Sequence, residues 1–201
     1  MPDLEHIKHG PAETGVEEII LKRWSPRAFS DKPIAPADLK KIFTAAGWAA
    51  SSYGEEPWRF IVGIKGDSTY DKILSVLVEF NQGWAKSAPV LYLSAGKKTF
   101  TANGQPDYYS LHDTGAASTT AALQAIALGI HSHGMGGFDH KKAREVFNIP
   151  EDFDIGAVWA LGYLGDPETL QGGMKQQELS PRKRKPLESY VFTEWDKPAQ
   201  F

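Results

Sequence analysis

Between Asp113 and Asp139 the chain runs for 25 residues without a lysine, arginine, aspartate or glutamate. A segment so bare of charge has to be buried, in a protein interior or in a bilayer. Its middle is rich in alanine and other small residues, and it also holds Ser118, Thr119, Thr120, Gln124, Gly129 and two histidines. A membrane span needs a run of about 20 predominantly apolar residues. The segment therefore reads as a buried helix over 113–129, with Asp113 as N-cap and Gly129 as its stop. Charge-free all round, it has to be covered on more than one face. A chain of 201 residues, one domain by length, does not readily cover it alone. Alanine lets a second helix approach closely, so the segment predicts a homodimer.

Around this helix the pattern alternates helix and strand, an α+β layout. Val16, Ile19, Ile20 and Trp24 have helical spacing, ended by Pro26. Pro36 opens a second helix with Leu39, Ile42, Phe43 and Ala46 inward, and Gly47 weakens its end. Apolar strands are expected at 58–64, bounded by Pro57 and Gly66, at 89–94 and at 155–164. Tyr70 to Phe80 reads as one amphipathic helix, Lys141 to Phe147 as another, and Gly134-Met135-Gly136-Gly137 as a turn. The core spans about 16–165 of a single domain over 1–201. Residues 168–201, rich in charge, Pro and Gln, read as an extended C-terminal arm.

Composition removes several chemistries. There is no cysteine, hence no disulfide, thiolate metal site, cysteine nucleophile or flavin–disulfide relay, which agrees with a cytoplasmic protein. A net charge of −3 makes no global case for nucleic acid. The P-loop, the Rossmann fingerprint and the G-x-S-x-G elbow are all missing. His131 and His133 form a His-x-His pair with no third and fourth ligand beyond Asp139 and His140, so no metal is expected.

Four short constellations remain. Arg23-Trp24-Ser25-Pro26-Arg27 places two guanidiniums and a hydroxyl within five residues, which suits a phosphate or simply a solvated helix end. Pro181-Arg182-Lys183-Arg184-Lys185-Pro186 is a positive strap that fits a phosphate, a nucleic acid or nothing. Ser51-Ser52-Tyr53-Gly54-Glu55-Glu56-Pro57-Trp58 suits a ligand-edge loop or an ordinary turn. Met135-Gly136-Gly137-Phe138-Asp139 lets backbone approach a flat ligand, or caps a helix.

Each is weak alone, but in this order they resemble the FMN-dependent nitroreductase family over about residues 16 to 192. The matching pieces begin with Arg23 to Phe29, Ser51-Ser52 with Pro57-Trp58-Arg59-Phe60, and Asn81 ahead of Ala88-Pro89-Val90. Asp113 to Ala117, Gly134 to Asp139, Ile149-Pro150, Leu161-Gly162-Tyr163 and Pro181 to Arg184 complete the set. The resemblance implies an α/β sandwich with a central, mostly antiparallel sheet and a homodimer with FMN at the subunit interface. NADH or NADPH would be the electron donor, and nitroaromatics, quinones or similar small molecules the acceptors, reduced by ping-pong hydride transfer at flavin N5. Arg23, Ser25 and Arg27 would hold the phosphate and ribityl chain, with Trp24 contributing mainly backbone, and Arg182 and Arg184 would close from the arm. Ser51 and Ser52 would reach the ring edge from the partner chain. Asn81 would bond the pyrimidine side, and Met135, Gly136 and Gly137 would line the ring. No nucleic acid and no membrane are implied as partners. The chain departs from the family at Ala50, Gly54 and Glu56, where many members have Pro, Asn and Gln. Two other readings stand beside this one: a flavin-binding or flavin-storage protein, and a flavin reductase of different acceptor chemistry on the same scaffold. The loop from Phe100 to Tyr109 either covers the flavin or decorates the surface.

Overall fold

A computed structural model describes residues 3–200. In chain order it runs through α1 (Leu4–Lys8), α2 (Glu18–Lys22), α3 (Pro36–Ala46), β1 (Trp58–Ile64), α4 (Ser68–Val76), α5 (Glu79–Ala85) and β2 (Val90–Lys97). It continues with α6 (Ser110–Ala127), β3 (His131–Met135), α7 (His140–Phe147), β4 (Phe153–Gly162), α8 (Met174–Leu179), β5 (Phe192–Glu194) and β6 (Lys197–Pro198). The central sheet has the order β1-β2-β4-β3 and is antiparallel throughout. Short β5 and β6 form a separate pair in the arm.

The sheet is buried on both faces, which explains why β2 reads as a continuous apolar run. Val90 and Tyr92 pack on one face with Ile42 and Ala46 of α3 and Ala117, Ala121 and Ala125 of α6. Leu91 and Leu93 pack on the other with Ile73 and Val76 of α4, Trp84 of α5 and Ala143 of α7. The first half of the charge-free segment is thus the body of the long helix α6 under one face, and its second half runs through β3. The buried hydroxyls of α6 bond back one turn, Thr114 Oγ1 to the Ser110 carbonyl at 2.7 Å and Ser118 Oγ to that of Thr114 at 2.8 Å. No helix among the described residues is long and apolar enough to cross a membrane.

Four local expectations are corrected. First, α6 begins at Ser110, so Asp113 lies in its first turn and is not the N-cap; Gly129 follows its end at φ +71°. Second, the single helix expected over 70–80 is broken into α4 and α5 at Leu77–Val78. Val78 N–H donates to the Gly137 carbonyl at 3.1 Å and Leu77 bridges to Phe138, so long-range pairing wins over helical continuation. Third, Gly134 and Met135 belong to strand β3, not to a turn. Fourth, the arm is not extended throughout. It contains α8, and Leu170 joins the core.

Candidate functional site

The loop after α2 leaves helical geometry at Arg23 and runs along the edge strand β3. The Pro26 carbonyl accepts from His133 Nδ1 at 2.8 Å, and the Trp24 ring meets His131 edge-on at 6.0 Å. Because a carbonyl only accepts, this bond fixes the proton on His133 Nδ1. The loop is closed at its far side by Gly165 N–H on the Ala28 carbonyl and Ser30 N–H on that of Tyr163.

Arg23, Trp24, Ser25 and Arg27 of this loop line a cavity of about 200 Å³ together with Arg182 and Arg184 of the arm, Lys8 of α1, and Gln177 and Glu178 of α8. Half of the twelve expected site residues therefore meet in one place. The Trp24 side chain is buried, which leaves mainly its backbone to a ligand. One role differs from expectation. Arg182 turns its guanidinium onto the carbonyls of Leu21 and of Arg23, the latter at 2.6 Å, so it ties the arm to the end of α2. Arg184 bonds only the neighbouring Lys183 carbonyl. Lys8, Gln177 and Glu178 carried no sequence signal, since each acts across 150 residues or more.

The cavity is electrostatically set for an anion. Five cations face one carboxylate, and that carboxylate is occupied by backbone N–H groups. Burial, and then the charge of Arg184, pulls the Arg23 guanidinium below its ordinary range. Arg182 is lowered by burial, by Arg184 and by Arg23. Among the described residues the buried Nε atoms of Arg27 and Arg182 have no partner. An anion such as a phosphate could accept from donors placed in this way.

A second cluster lies along the same strand. Asn81 of α5 donates from Nδ2 to the Gly137 carbonyl at 3.0 Å and accepts from Trp84 Nε1 at 3.3 Å. The Trp84 ring packs on His133 at 4.6 Å, so Pro26, His133, Trp84, Asn81 and Gly137 form one connected row. At about 3.3 Å per residue, His131 to Gly136 spans about 16 Å of edge. Met135 points its side chain into the core, so only its backbone faces this edge. A Cβ on Gly136 would meet nothing within 4 Å, which leaves its backbone open. The row runs from an anion cavity to an open glycine turn, the layout for an extended ligand with an acidic tail and a flat head.

Ser51 and Ser52 are not brought to this row. They precede β1 on the opposite edge of the sheet, about 14 Å away across three strand spacings. Ser52 N–H donates to Asp113 Oδ2 at 2.7 Å and Ser51 Oγ accepts from Glu56 N–H at 3.1 Å. The Phe100–Tyr109 loop is tied to the same region, with Thr101 N–H on Glu55 Oε1 at 3.0 Å and Phe100 edge-on to Tyr53 at 5.8 Å.

Burial, and then the charge of Arg23, pushes His131 down to about 4. His133 is also lowered to about 4, by burial first, with Arg27 and Arg23 adding to it and the Pro26 carbonyl opposing. The unfolded chain, near 6.5, takes up these protons first. The stability is present above about pH 6.5 and is lost as pH falls to about 4. For His131, 2% exposed, the loss is about 3 kcal/mol. Denaturant midpoints of the flavin-free protein between pH 7 and 4.5 should fall, and His131→Gln should flatten the fall. An unchanged slope in that variant would refute the assignment.

A sequence model of the nitroreductase family matches residues 20–80 and 65–163. An uncharacterised 15.4 kDa protein of Mycolicibacterium smegmatis is 32% identical over 152 residues, 70% of this chain and 99% of that protein. A protein of Archaeoglobus fulgidus provisionally named NADH dehydrogenase/NAD(P)H nitroreductase is 32% identical over 153 residues, 74% of this chain and 85% of that one. Among solved structures, an oxidoreductase containing FMN superposes with a TM-score of 0.84 at 36% identity, covering 89% of this chain and 91% of that one.

Proposed function

The chain belongs to the nitroreductase family, and on that footing we infer that it is an FMN-dependent oxidoreductase. In this reading it takes hydride from NADH or NADPH and passes it to nitroaromatics, quinones or similar acceptors. The observation that carries the reading is the connected row from the guanidinium cavity to the open Gly136 backbone. Bound FMN supplies the hydride transfer, and the chain's part is to bind, orient and expose it.

Arg23, Arg27 and Arg184 neutralise the phosphate, and the Ser25 hydroxyl, exposed at the cavity, adds a hydrogen bond. Asn81 spends one amide hydrogen on Gly137 and keeps the other for the pyrimidine edge of the ring. Gly136 and Gly137 bring backbone to the ring. A ring held there would offer one face to donor and acceptor in turn, and ping-pong kinetics would follow.

The ring edge also needs Ser51 and Ser52, and within one chain these lie on the far edge of the sheet. A second copy supplies them. In support, α6 leaves Leu111, Gly115 and Thr119 exposed on an uncharged face, and Trp48 and Tyr53 are 85% and 97% exposed nearby in sequence to the serines. The purified protein should be yellow, with one non-covalent FMN per chain, and should sediment as a dimer at sub-micromolar concentration. A colourless protein that folds but takes up no FMN would end the flavin reading. A stable FMN-loaded monomer would end the cross-chain role of the serines.

A further inference from the structure

The anion cavity is held by a frame that joins both ends of the chain. Glu178, 2% exposed, accepts through one oxygen from the backbone N–H groups of Arg27 at 2.8 Å and Ala28 at 2.9 Å. Lys8, 6% exposed, donates from Nζ to the carbonyls of Gln177 and Ser180, each at 2.6 Å. Arg27 Nη1 donates to Gln177 Oε1 at 3.0 Å, and Arg182 bonds the end of α2.

We propose that Glu178 and Lys8 are the positioning residues of this cavity. Glu178 fixes the backbone that aims Arg27, and Lys8 fixes the end of α8 from which the arm carries Arg182 and Arg184 into place. The inference rests on the flavin reading only for the identity of the anion.

A carboxylate beside an anion site repels the ligand, so its placement there requires another cause. The cause is the pair of backbone N–H groups at Arg27 and Ala28, which no helix or strand satisfies and which would otherwise be left without an acceptor. Once Glu178 holds them they are unavailable to the anion, which is met by the side chains of Arg23, Ser25, Arg27 and Arg184 instead. Lys8 acts in the same manner at the other end. Its ammonium is spent on two carbonyls at the C-terminal end of α8, that of Gln177, which also accepts from the Ser180 N–H, and that of Ser180 just past the helix. Burial lowers Lys8 despite the opposing pull of Glu178, and Arg182 and Arg27 lower it further. Like charges therefore press on one another throughout the frame, and an anion among them draws the arm onto the loop. Removing the anion loosens residues 181–185.

The experiment compares the full-length protein with Glu178→Gln, Glu178→Ala and Lys8→Ala. Its probes are FMN, riboflavin and inorganic phosphate. Glutamine keeps an oxygen for both N–H groups and alanine does not. The ratio of FMN to riboflavin affinity should fall about tenfold or more in Glu178→Ala and stay within about threefold of the parent in Glu178→Gln. Inorganic phosphate should slow tryptic cleavage after residues 182–184 in the parent and in Glu178→Gln, but not in Glu178→Ala. Lys8→Ala should move both readouts in the same direction as Glu178→Ala, and it decides the question if Glu178→Ala does not fold. A folded Glu178→Ala or Lys8→Ala with the parent's ratio and the parent's phosphate protection would overturn the proposal. A parent protein protected by phosphate but blind to FMN and riboflavin would defeat the flavin reading and support the frame. A parent protected by neither FMN nor phosphate would overturn the frame's coupling to an anion.

Discussion

Replacing Arg27 and Arg184 together by alanine should lower FMN affinity by about 10²- to 10⁴-fold. Each guanidinium contributes about 1.5–3 kcal/mol through hydrogen bonds to a charged group, so the pair contributes about 3–6 kcal/mol. These two are chosen because their donors are the most available. Arg184 bonds only a neighbouring carbonyl, and the buried Nε of Arg27 has no partner. Arg182 is a poorer choice, because its loss would also release the carbonyls of Leu21 and Arg23. Riboflavin, which lacks the phosphate, should bind the double variant as it binds the parent. Titration by flavin fluorescence reads both. If FMN and riboflavin weaken alike, the cavity is not the phosphate site.

Gly165→Ala should destabilise the protein by about 3 kcal/mol and weaken FMN binding with it. A Cβ at this buried position would stand 2.4 Å from the Phe29 carbonyl carbon and 2.5 Å from its oxygen. Both are backbone atoms, so no rotamer change relieves the clash. Gly165 N–H also holds the Ala28 carbonyl at 2.8 Å, and Leu164 bridges to Phe29. The segment after β4 that carries Gly165 is therefore what the far end of the arginine loop leans on. Displacing one displaces the other. Gly83→Ala is the control. Its Cβ would meet nothing within 4 Å inside α5, and alanine there should gain up to about 1 kcal/mol. Urea midpoints for the two variants should move in opposite directions. A neutral Gly165→Ala would mean that the loop is free to shift.

The parts of the fold that sequence made legible are those governed by local rules. Strand β1 falls at Trp58–Ile64 as expected because Pro57 and Gly66 bound an apolar run. Helix α3 starts at Pro36, where a missing N–H costs nothing. The buried character of α6 follows from its lack of charge. What was missed is set by contacts distant in the chain. Strand β3 contains His131, Ser132 and His133, so it lacks the apolar signature of a strand. Only His133 is met by the arginine loop, through the Pro26 carbonyl, while His131 Nδ1 and Ser132 Oγ are buried without a hydrogen-bond partner among the described residues. The break between α4 and α5 follows from pairing with Gly137, sixty residues on. For the site, neither arginine cluster was distinctive alone, since each suits a solvated surface as well as a phosphate; only their order along the chain with the other short pieces singled them out. Lys8 and Glu178 were not legible, because a single lysine or glutamate has no periodicity and its partner lies at the other end of the chain. Arg182 was legible as a member of the cluster but not as a clamp, since only geometry shows where its donors point.

The measurement that bears most directly on function is an anaerobic absorbance titration of the purified protein with NADH and with NADPH, with no acceptor present. A shared-face flavin enzyme gives a flavin spectrum at the start and complete bleaching of the yellow band by at least one of the two donors. Subsequent addition of a quinone or nitroaromatic should restore the colour, and steady-state double-reciprocal plots should be parallel, as expected when donor and acceptor share one face in turn. A protein without flavin absorbance, or a flavin that neither nucleotide reduces until the acceptor is also present, would contradict this mechanism.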